Sequence, residues 1–332
     1  MKLGQSAAAT DPGRKRRQNE DSYVARAPIF AIADGMGGAR AGEIASALAA
    51  GALREARADG GGPELVKQLV QEANRRIHER ASTDPSTSGM GTTMTVALIE
   101  PNGELTFGHV GDSRAYMLRG SRLEQLTDDH SLVAELVRRG ELSERDAEVH
   151  PQRSVITRAL GTDPDVDVDA FTWRPEAGDV YLLASDGLSD MVSGADIERV
   201  LVEHRANLEN AARALVKAAN RGGGDDNITV VLFEMVEGES APAGEPDEAT
   251  REFQLPPAAD EEDTLHPEDR VAPPPPLAND TMVVPVAEIQ AAVELDEPHT
   301  PQAGLGRRLL ALLVIVALIA IIIVLVWQGL AR

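Results

Sequence analysis

The sequence has 332 residues, a formal net charge of −22 and no cysteine. That length allows one large domain with additions, or two domains. The acidic balance argues against nucleic acid as the main partner, and the missing cysteine excludes disulfides, thiolate metal sites and cysteine nucleophiles.

The charge is uneven. Residues 237–300 hold 17 of the 54 acidic residues but only two of the 32 Lys and Arg. Much of the acidity therefore belongs to this stretch and says little about a folded part. Residues 1–13 contain no apolar run, so no secretory signal is expected.

In chain order, residues 22–33 read as two strands meeting at Pro28. An extended apolar run from Ile29 to Ala33 drives into Asp34-Gly35, the pattern of a buried strand that ends at a surface. Residues 43–58 are Ala-rich and helical, and Gly60-Gly61-Gly62-Pro63 stops them. Residues 64–81 form a second helix with Leu65, Leu69, Ala73 and Ile77 on one face. Strands follow at 92–99 and 104–110, joined by the turn Pro101-Asn102-Gly103, then at 115–118 and 123–126. Residues 129–139 and 143–149 read as helices, and 179–184 as a continuous apolar strand ending at Ser185-Asp186-Gly187. Helices at 196–204 and 208–220 and a strand at 228–233 complete the pattern. Many antiparallel hairpins with helices grouped in pairs point to an α+β class, two antiparallel sheets packed face to face with helices outside.

Composition divides the rest. The globular rhythm covers residues 1–236. Residues 237–306 are rich in Pro, Glu, Asp and Ala and cannot bury enough apolar surface to offset their ordering entropy, so they read as a disordered spacer. Residues 307–332 contain 19 apolar, uncharged residues from Leu309 to Trp327. As a helix these span about 28 Å, close to the ~30 Å hydrocarbon core of a bilayer. Arg307 and Arg308 precede them, which places the preceding part in the cytoplasm by the positive-inside rule. A single-pass anchor in the cell membrane is expected, with one C-terminal transmembrane helix.

Several carboxylates share one signature, an apolar strand beside Asp and Gly: Asp34, Asp112, Asp186 and Asp226. Glu20 and Asp21 lie next to another strand. Carboxylates gathered without partners repel and raise one another's pKa, and a divalent cation resolves this. An all-oxygen donor set suits Mg²⁺ or Mn²⁺. Six carboxylates exceed what one ion needs, and two ions ~3.5–4 Å apart can lower the pKa of a shared water and clamp an in-line displacement at phosphorus. Arg14-Lys15-Arg16-Arg17 is either a solvated basic loop or the anchor for phosphate oxygens.

The segments Thr10-Asp11-x-Gly13-x-x-Arg16-x-x-Asn19-Glu20-Asp21, Ala33-Asp34-Gly35-Met36-Gly37-Gly38, Gly91-Thr92-Thr93, Gly111-Asp112-Ser113-Arg114, Ser185-Asp186-Gly187-Leu188-x-Asp190 and Asp226-Asn227-x-Thr229-Val230 occur in that order. Over residues 1–236 the chain resembles the metal-dependent protein phosphatases, the PPM or type 2C serine/threonine phosphatases, in their bacterial form. The resemblance implies that Asp34 bridges two ions with the Gly35 carbonyl as a further ligand. It implies that Glu20, with Asp21 beside it, serves one ion and that Asp186 and Asp226 complete the pair. It places Asp112 and Asp190 at an additional ion and Arg16 on the substrate phosphate, so that two or three Mn²⁺ or Mg²⁺ ions are expected. Residues 127–161 match a flap over the cleft. The histidine that eukaryotic members carry two residues after the bridging aspartate is Met36 here, and His109 and His150 are better read as structural than as acids in its place.

The implied function is hydrolysis of phosphoserine and phosphothreonine on proteins, opposing a Ser/Thr protein kinase. The competing reading is a catalytically weak, membrane-tethered phosphoprotein-binding module. Thr250, Thr264 and Thr281 follow acidic or polar residues, and a phosphothreonine-binding domain could read them if phosphorylated, although coincidence in an acidic linker is the simpler account.

Overall fold

The computed structural model describes residues 1–36, 41–56, 61–147, 149–238 and 282–283. In chain order these form β1 (Lys2–Asp11), β2 (Asp21–Arg26), β3 (Ile29–Met36), α1 (Gly42–Glu55) and α2 (Gly62–Thr83). Then come β4 (Gly91–Thr92), β5 (Met94–Ile99), β6 (Leu105–Val110), β7 (Arg114–Arg119) and β8 (Arg122–Gln125). The segment that follows holds α3 (Leu132–Arg138), α4 (Glu144–Ala147) and β9 (Val155–Ile156). The remainder is β10 (Asp169–Trp173), β11 (Asp179–Ala184), α5 (Asp186–Ser189), α6 (Gly194–Glu203), α7 (Leu208–Gly222), β12 (Ile228–Val236) and β13 (Met282–Val283).

One sheet runs β1-β12-β11-β7-β8 and the other β10-β6-β5-β3-β2, with β4 paired to β3. Every pairing within the two sheets is antiparallel. The sheets pack face to face, as the α+β reading expects. Phe30, Ile32 and Phe107 from one sheet meet Met117, Tyr181, Leu183 and Phe233 from the other, and Phe30 stacks on Phe233 at 4.5 Å between ring centres. Each such side chain contributes about 1.5–3 kcal/mol by its burial.

The outer faces are covered as well. Ile29, Ala31 and Ala33 of β3 pack with Ala45, Ala49 and Leu53 of α1 and Val66, Val70 and Ile77 of α2. Val180, Leu182 and Ala184 of β11 pack with Ile197 and Leu201 of α6 and Leu208, Leu215 and Ala219 of α7. Alternate residues of one strand thus serve two cores, which is why β3 and β11 read as unbroken apolar runs.

Some expectations are corrected. β1 was not read from the sequence; Ala7 and Ala9 pack on one core and Leu3 and Ala8 on the other, so small apolar residues on both faces leave no strong alternation to mark it. β10 was missed likewise. The helices expected at 129–139 and 143–149 shrink to α3 and α4, because Ser131 caps α3 by accepting from the Ala134 amide. Asp129 lies before that cap and pairs with Arg114 instead. The proposed spacer, apart from Glu237, Gly238 and Met282–Val283, and the apolar span at 309–327 lie outside the described residues. Among the described residues no helix is long and apolar enough to cross a membrane.

Candidate active site

The register of both sheets carries the carboxylates to one end of the sandwich. Asp21, at the start of β2, pairs with Asp34 near the end of β3. In the other sheet the end of β1 at Asp11 pairs with the start of β12 at Ile228, and the end of β11 at Ala184 pairs with Val230 and with Arg114. Asp186 follows β11 after Ser185, and Asp226 shortly precedes β12. The chain crosses between sheets at this end three times: through residues 12–20, which carry Arg16 and Glu20, through residues 111–113, which carry Asp112, and through residues 126–168, which carry Arg153.

Asp34-Gly35 is not a turn. β3 continues through both residues to Met36 and pairs with β4, Gly35 opposite Thr92. Glycine is required there by crossing backbone: a Cβ on Gly35 would lie 2.2 Å from the Gly42 carbonyl oxygen and 2.6 Å from that of Glu20. Gly187 is equally confined, 2.1 Å from the Asn227 carbonyl. Asp186 likewise opens a helical turn, α5, rather than a loop. Asp190 caps its C-terminal end by donating its amide to the Asp186 carbonyl at 2.8 Å. That i, i+4 spacing sets the two carboxylates on one face.

Hydrogen bonds hold the carboxylates in place. The Thr93 hydroxyl accepts from the Asp34 amide at 3.1 Å and lies 2.8 Å from the Ser113 hydroxyl. The Ser185 hydroxyl donates to Asp21 at 3.0 Å. The Asn227 amide donates to its neighbour Asp226 at 2.8 Å. The Arg16 guanidinium reaches Asp226 at 2.8 Å, whereas Lys15 turns outward to Asp225. Arg153 stands 3.6 Å from Asp190, and with Ser154, Asp186, Gly187, Met191, Asp225 and Asp226 these residues line a cleft.

The electrostatics are those of crowded anions. Burial, then Asp21, Asp186 and Asp226, push the Asp34 carboxyl well above the usual range. Burial, then Asp112 and Asp226, do the same to Asp186. Asp21 rises to about 6, mainly by burial, and Asp112 to about 7 by burial and the nearby Asp129 and Asp190. Asp190 also rises by burial, opposed by Arg153 and Arg114. The Oδ1 atoms of Asp21 and Asp186 are buried without a hydrogen-bond partner. Orphaned acceptors among mutually repelling carboxylates fit a divalent cation, and hard oxygen donors select Mg²⁺ or Mn²⁺. Among the described residues no group of three or more His, Cys, Asp or Glu side chains stands as a ready-made metal site.

All of the carboxylates singled out in sequence therefore lie at this end of the sandwich, with Gly35 beside Asp34. Glu20 is tied in through its amide, which donates to the Asn227 side chain at 2.8 Å. Of the two histidines, His109 is the one locked into the core. His109 is buried with its ring nitrogens at 2.9 Å from the Thr95 hydroxyl and 3.1 Å from the Asp128 carbonyl, and burial pushes its pKa down to about 3. The His150 Nδ1 accepts from the Gln152 amide.

Three contributors were not identified from sequence. Asn227 and Ser185 sit inside the quoted motifs and Arg153 in the stretch matched to a flap, but only the fold shows what they touch.

The chain is similar to known proteins over the same region. The family model described as Protein phosphatase 2C matches residues 13–138. The serine/threonine phosphatase stp of Listeria innocua is 41% identical over 237 residues, covering 68% of this chain and 93% of the relative. The phosphatase PstP of Mycobacterium tuberculosis is 43% identical over 234 residues, 70% of this chain and 45% of the relative. A crystal structure of the M. tuberculosis PstP/Ppp phosphatase superposes with TM-score 0.65 at 40% identity, covering 71% of this chain and all of that one. A PstP catalytic domain in complex with two manganese ions gives TM-score 0.63 at 39% identity over 71% of this chain and 99% of that chain. With its motifs, fold and relatives in agreement, the chain belongs to the protein phosphatase 2C family.

Proposed function

We infer that this chain is a metal-dependent protein serine/threonine phosphatase. The observation that carries this reading is the cluster of strand-end carboxylates, in which Asp21 and Asp186 keep orphaned buried oxygens and the Arg16 guanidinium reaches Asp226. Asp34, Glu20, Asp186 and Asp226 would hold two Mn²⁺ or Mg²⁺ ions, with Asp21 and the Gly35 carbonyl supporting. Asp112 and Asp190 would hold an additional one. When bound, the ions supply charge compensation and a water of lowered pKa for displacement at phosphorus.

The residues of the chain do the rest. Burial and mutual repulsion raise the Asp34 and Asp186 carboxyls, so that cation binding there would be coupled to proton release. Arg16 stands within reach of Asp226 and presents a planar fork that suits two phosphate oxygens at once. Ser185 keeps Asp21 oriented through its hydroxyl. His109 donates nothing to a leaving group, because both ring nitrogens are engaged and the ring is sealed from the cleft.

The test is phosphate release from phosphothreonine, phosphoserine and phosphotyrosine peptides by the purified chain with Mn²⁺. Release from the first two that chelator abolishes is expected. No release with Mn²⁺ present overturns the reading. In the cell the substrates are proteins phosphorylated by a Ser/Thr kinase. The apolar run Leu309 to Trp327 anchors the chain in the cell membrane with residues 1–236 on the cytoplasmic side. Fractionation and protease accessibility of intact cells test that placement; recovery in the soluble fraction speaks against it.

A further inference from the structure

Within the acidic, proline-rich stretch one run stands out. Thr281-Met282-Val283-Val284-Pro285-Val286 carries no charge and is rich in β-branched residues. Such a composition takes up a strand wherever an open edge is offered. Two residues of this run, β13, lie parallel to β9, with Met282 opposite Val155 and Val283 opposite Ile156. Ile156 is also bridged to Ser131, just before α3. β9 is thus a two-residue strand inside the segment between β8 and β10. Without β13 it would lack this ladder partner, and an unpaired strand edge is a template for strand addition.

The position of β9 gives the contact a consequence. It follows directly on Arg153 and Ser154, which line the cleft with Asp186 and Asp190. Arg153 is the residue that reaches across to Asp190. From the docked strand to the cleft is two residues of backbone.

We propose that β9 is a docking edge beside the cleft and that its occupant is the chain's own 282–283 strand, which steadies Arg153 against Asp190 when docked. The recognition is main-chain pairing of an uncharged, β-branched segment. Each main-chain hydrogen bond adds little net free energy, so this short ladder would be negligible between separate molecules. Tethering changes that. The 43 residues from 239 to 281 span up to about 140 Å when extended, so the connection imposes no steric bar. A tether holds its end at an effective concentration that can reach the millimolar range. The result is a weak contact, which suits it to reversible control. Docking is independent of the chemistry in the cleft, while its effect on turnover rests on the phosphatase reading.

The absence of cysteine makes the test clean. In the full chain, Val155→Cys with Met282→Cys should form an intramolecular disulfide under mild oxidation at least tenfold faster than Val155→Cys with Ala258→Cys, which places the second thiol elsewhere on the same tether. Equal rates mean random encounter and overturn the docking. Independently, Met282→Pro with Val283→Pro should speed amide hydrogen exchange at Ile156 several-fold and leave β11 and β12 unchanged. Unaltered exchange at Ile156 also overturns it. The oxidised Val155→Cys, Met282→Cys chain should differ from its reduced form at least threefold in kcat or KM on a phosphothreonine peptide. Equal turnover in a fully crosslinked sample removes the link to Arg153. Crosslinking and exchange need no activity, so failure of the phosphatase reading is seen separately, in the unmodified chain with Mn²⁺.

Discussion

Asn227 commits its whole side chain to the crossover that carries Arg16 and Glu20. Its amide nitrogen donates to the carbonyls of Pro12 at 3.0 Å and Gln18 at 2.9 Å, and its oxygen accepts from the Glu20 amide. It is 4% exposed, so no water replaces those bonds if the side chain is removed. Its own carbonyl accepts from Ser185, which also holds Asp21. Asn227→Ala should therefore loosen residues 12–20 and raise KM for a phosphopeptide about tenfold or more, since outer partners of such sites commonly affect metal affinity or activity by 10–100-fold. The Mn²⁺ concentration for half-activation should rise with it. A double-mutant cycle with Arg16→Ala separates placement from general destabilisation. If Asn227 acts by placing Arg16, the double variant loses little KM beyond Arg16→Ala, and full additivity would show that it does not.

At the scale of elements, β3 sets the tightest constraint. Its last residues thread between the Gly42 carbonyl and the backbone of Glu20. Gly35→Ala should cost about 1–3 kcal/mol by overpacking and shift Asp34 away from Asp21. Urea midpoints and Mn²⁺-dependent turnover would check this; a variant with wild-type stability and rate would mean that the backbone gives way freely. The reason β3 was legible in sequence is the reason it is constrained. A strand buried on both faces must be apolar throughout, and Phe30 and Ile32 face one core while Ala31 and Ala33 face another. β11 was legible on the same ground. β1 was not, because the residues it turns to the two cores are mostly alanines, which leave no strong alternation. The carboxylates were legible as a set because each interrupts such a run. What they touch was not: Asn227 and Ser185 act through partners some 200 and 160 residues away in the chain, for Asn227 the loop 12–20 and for Ser185 Asp21, and local pattern carries no trace of such contacts. Arg153 likewise read only as part of a charged insertion until α5 placed Asp190 opposite it.

For the molecule as a whole, the titrating groups of the site and of the core pull stability in opposite directions. Burial and repulsion raise the folded-state pKa of Asp34, Asp186, Asp21 (to about 6) and Asp112 (to about 7) above unfolded carboxylate values. The native metal-free chain then binds more protons than the unfolded chain between about pH 4 and 7, so stability falls as pH rises through that window. His109, pushed down to about 3, and His130, also lowered by burial, act the other way: the unfolded chain binds the extra proton, so stability falls as pH drops below about 6.5. Glu72, lowered to about 2 by its bonds to Arg75 and Arg76, acts below about pH 4.5 and leaves the upper window alone. With Asp190, also raised by burial, five groups oppose two. Each net proton is worth about 1.4 kcal/mol per pH unit, so the chelated chain should lose melting temperature between pH 5 and 7.5. Saturating Mn²⁺ should cancel that loss, and the gain on adding it should grow with pH as fewer protons need displacing. His109→Asn, which removes one opposing group, should steepen the decline of the chelated chain between pH 5 and 6.5. Thermal unfolding with chelator and with Mn²⁺ across this range measures all three slopes. A chelated chain that melts as high at pH 7.5 as at pH 5 would mean that the carboxylates do not repel one another as the fold places them, and with that the physical case for cations at this end of the sandwich would be lost.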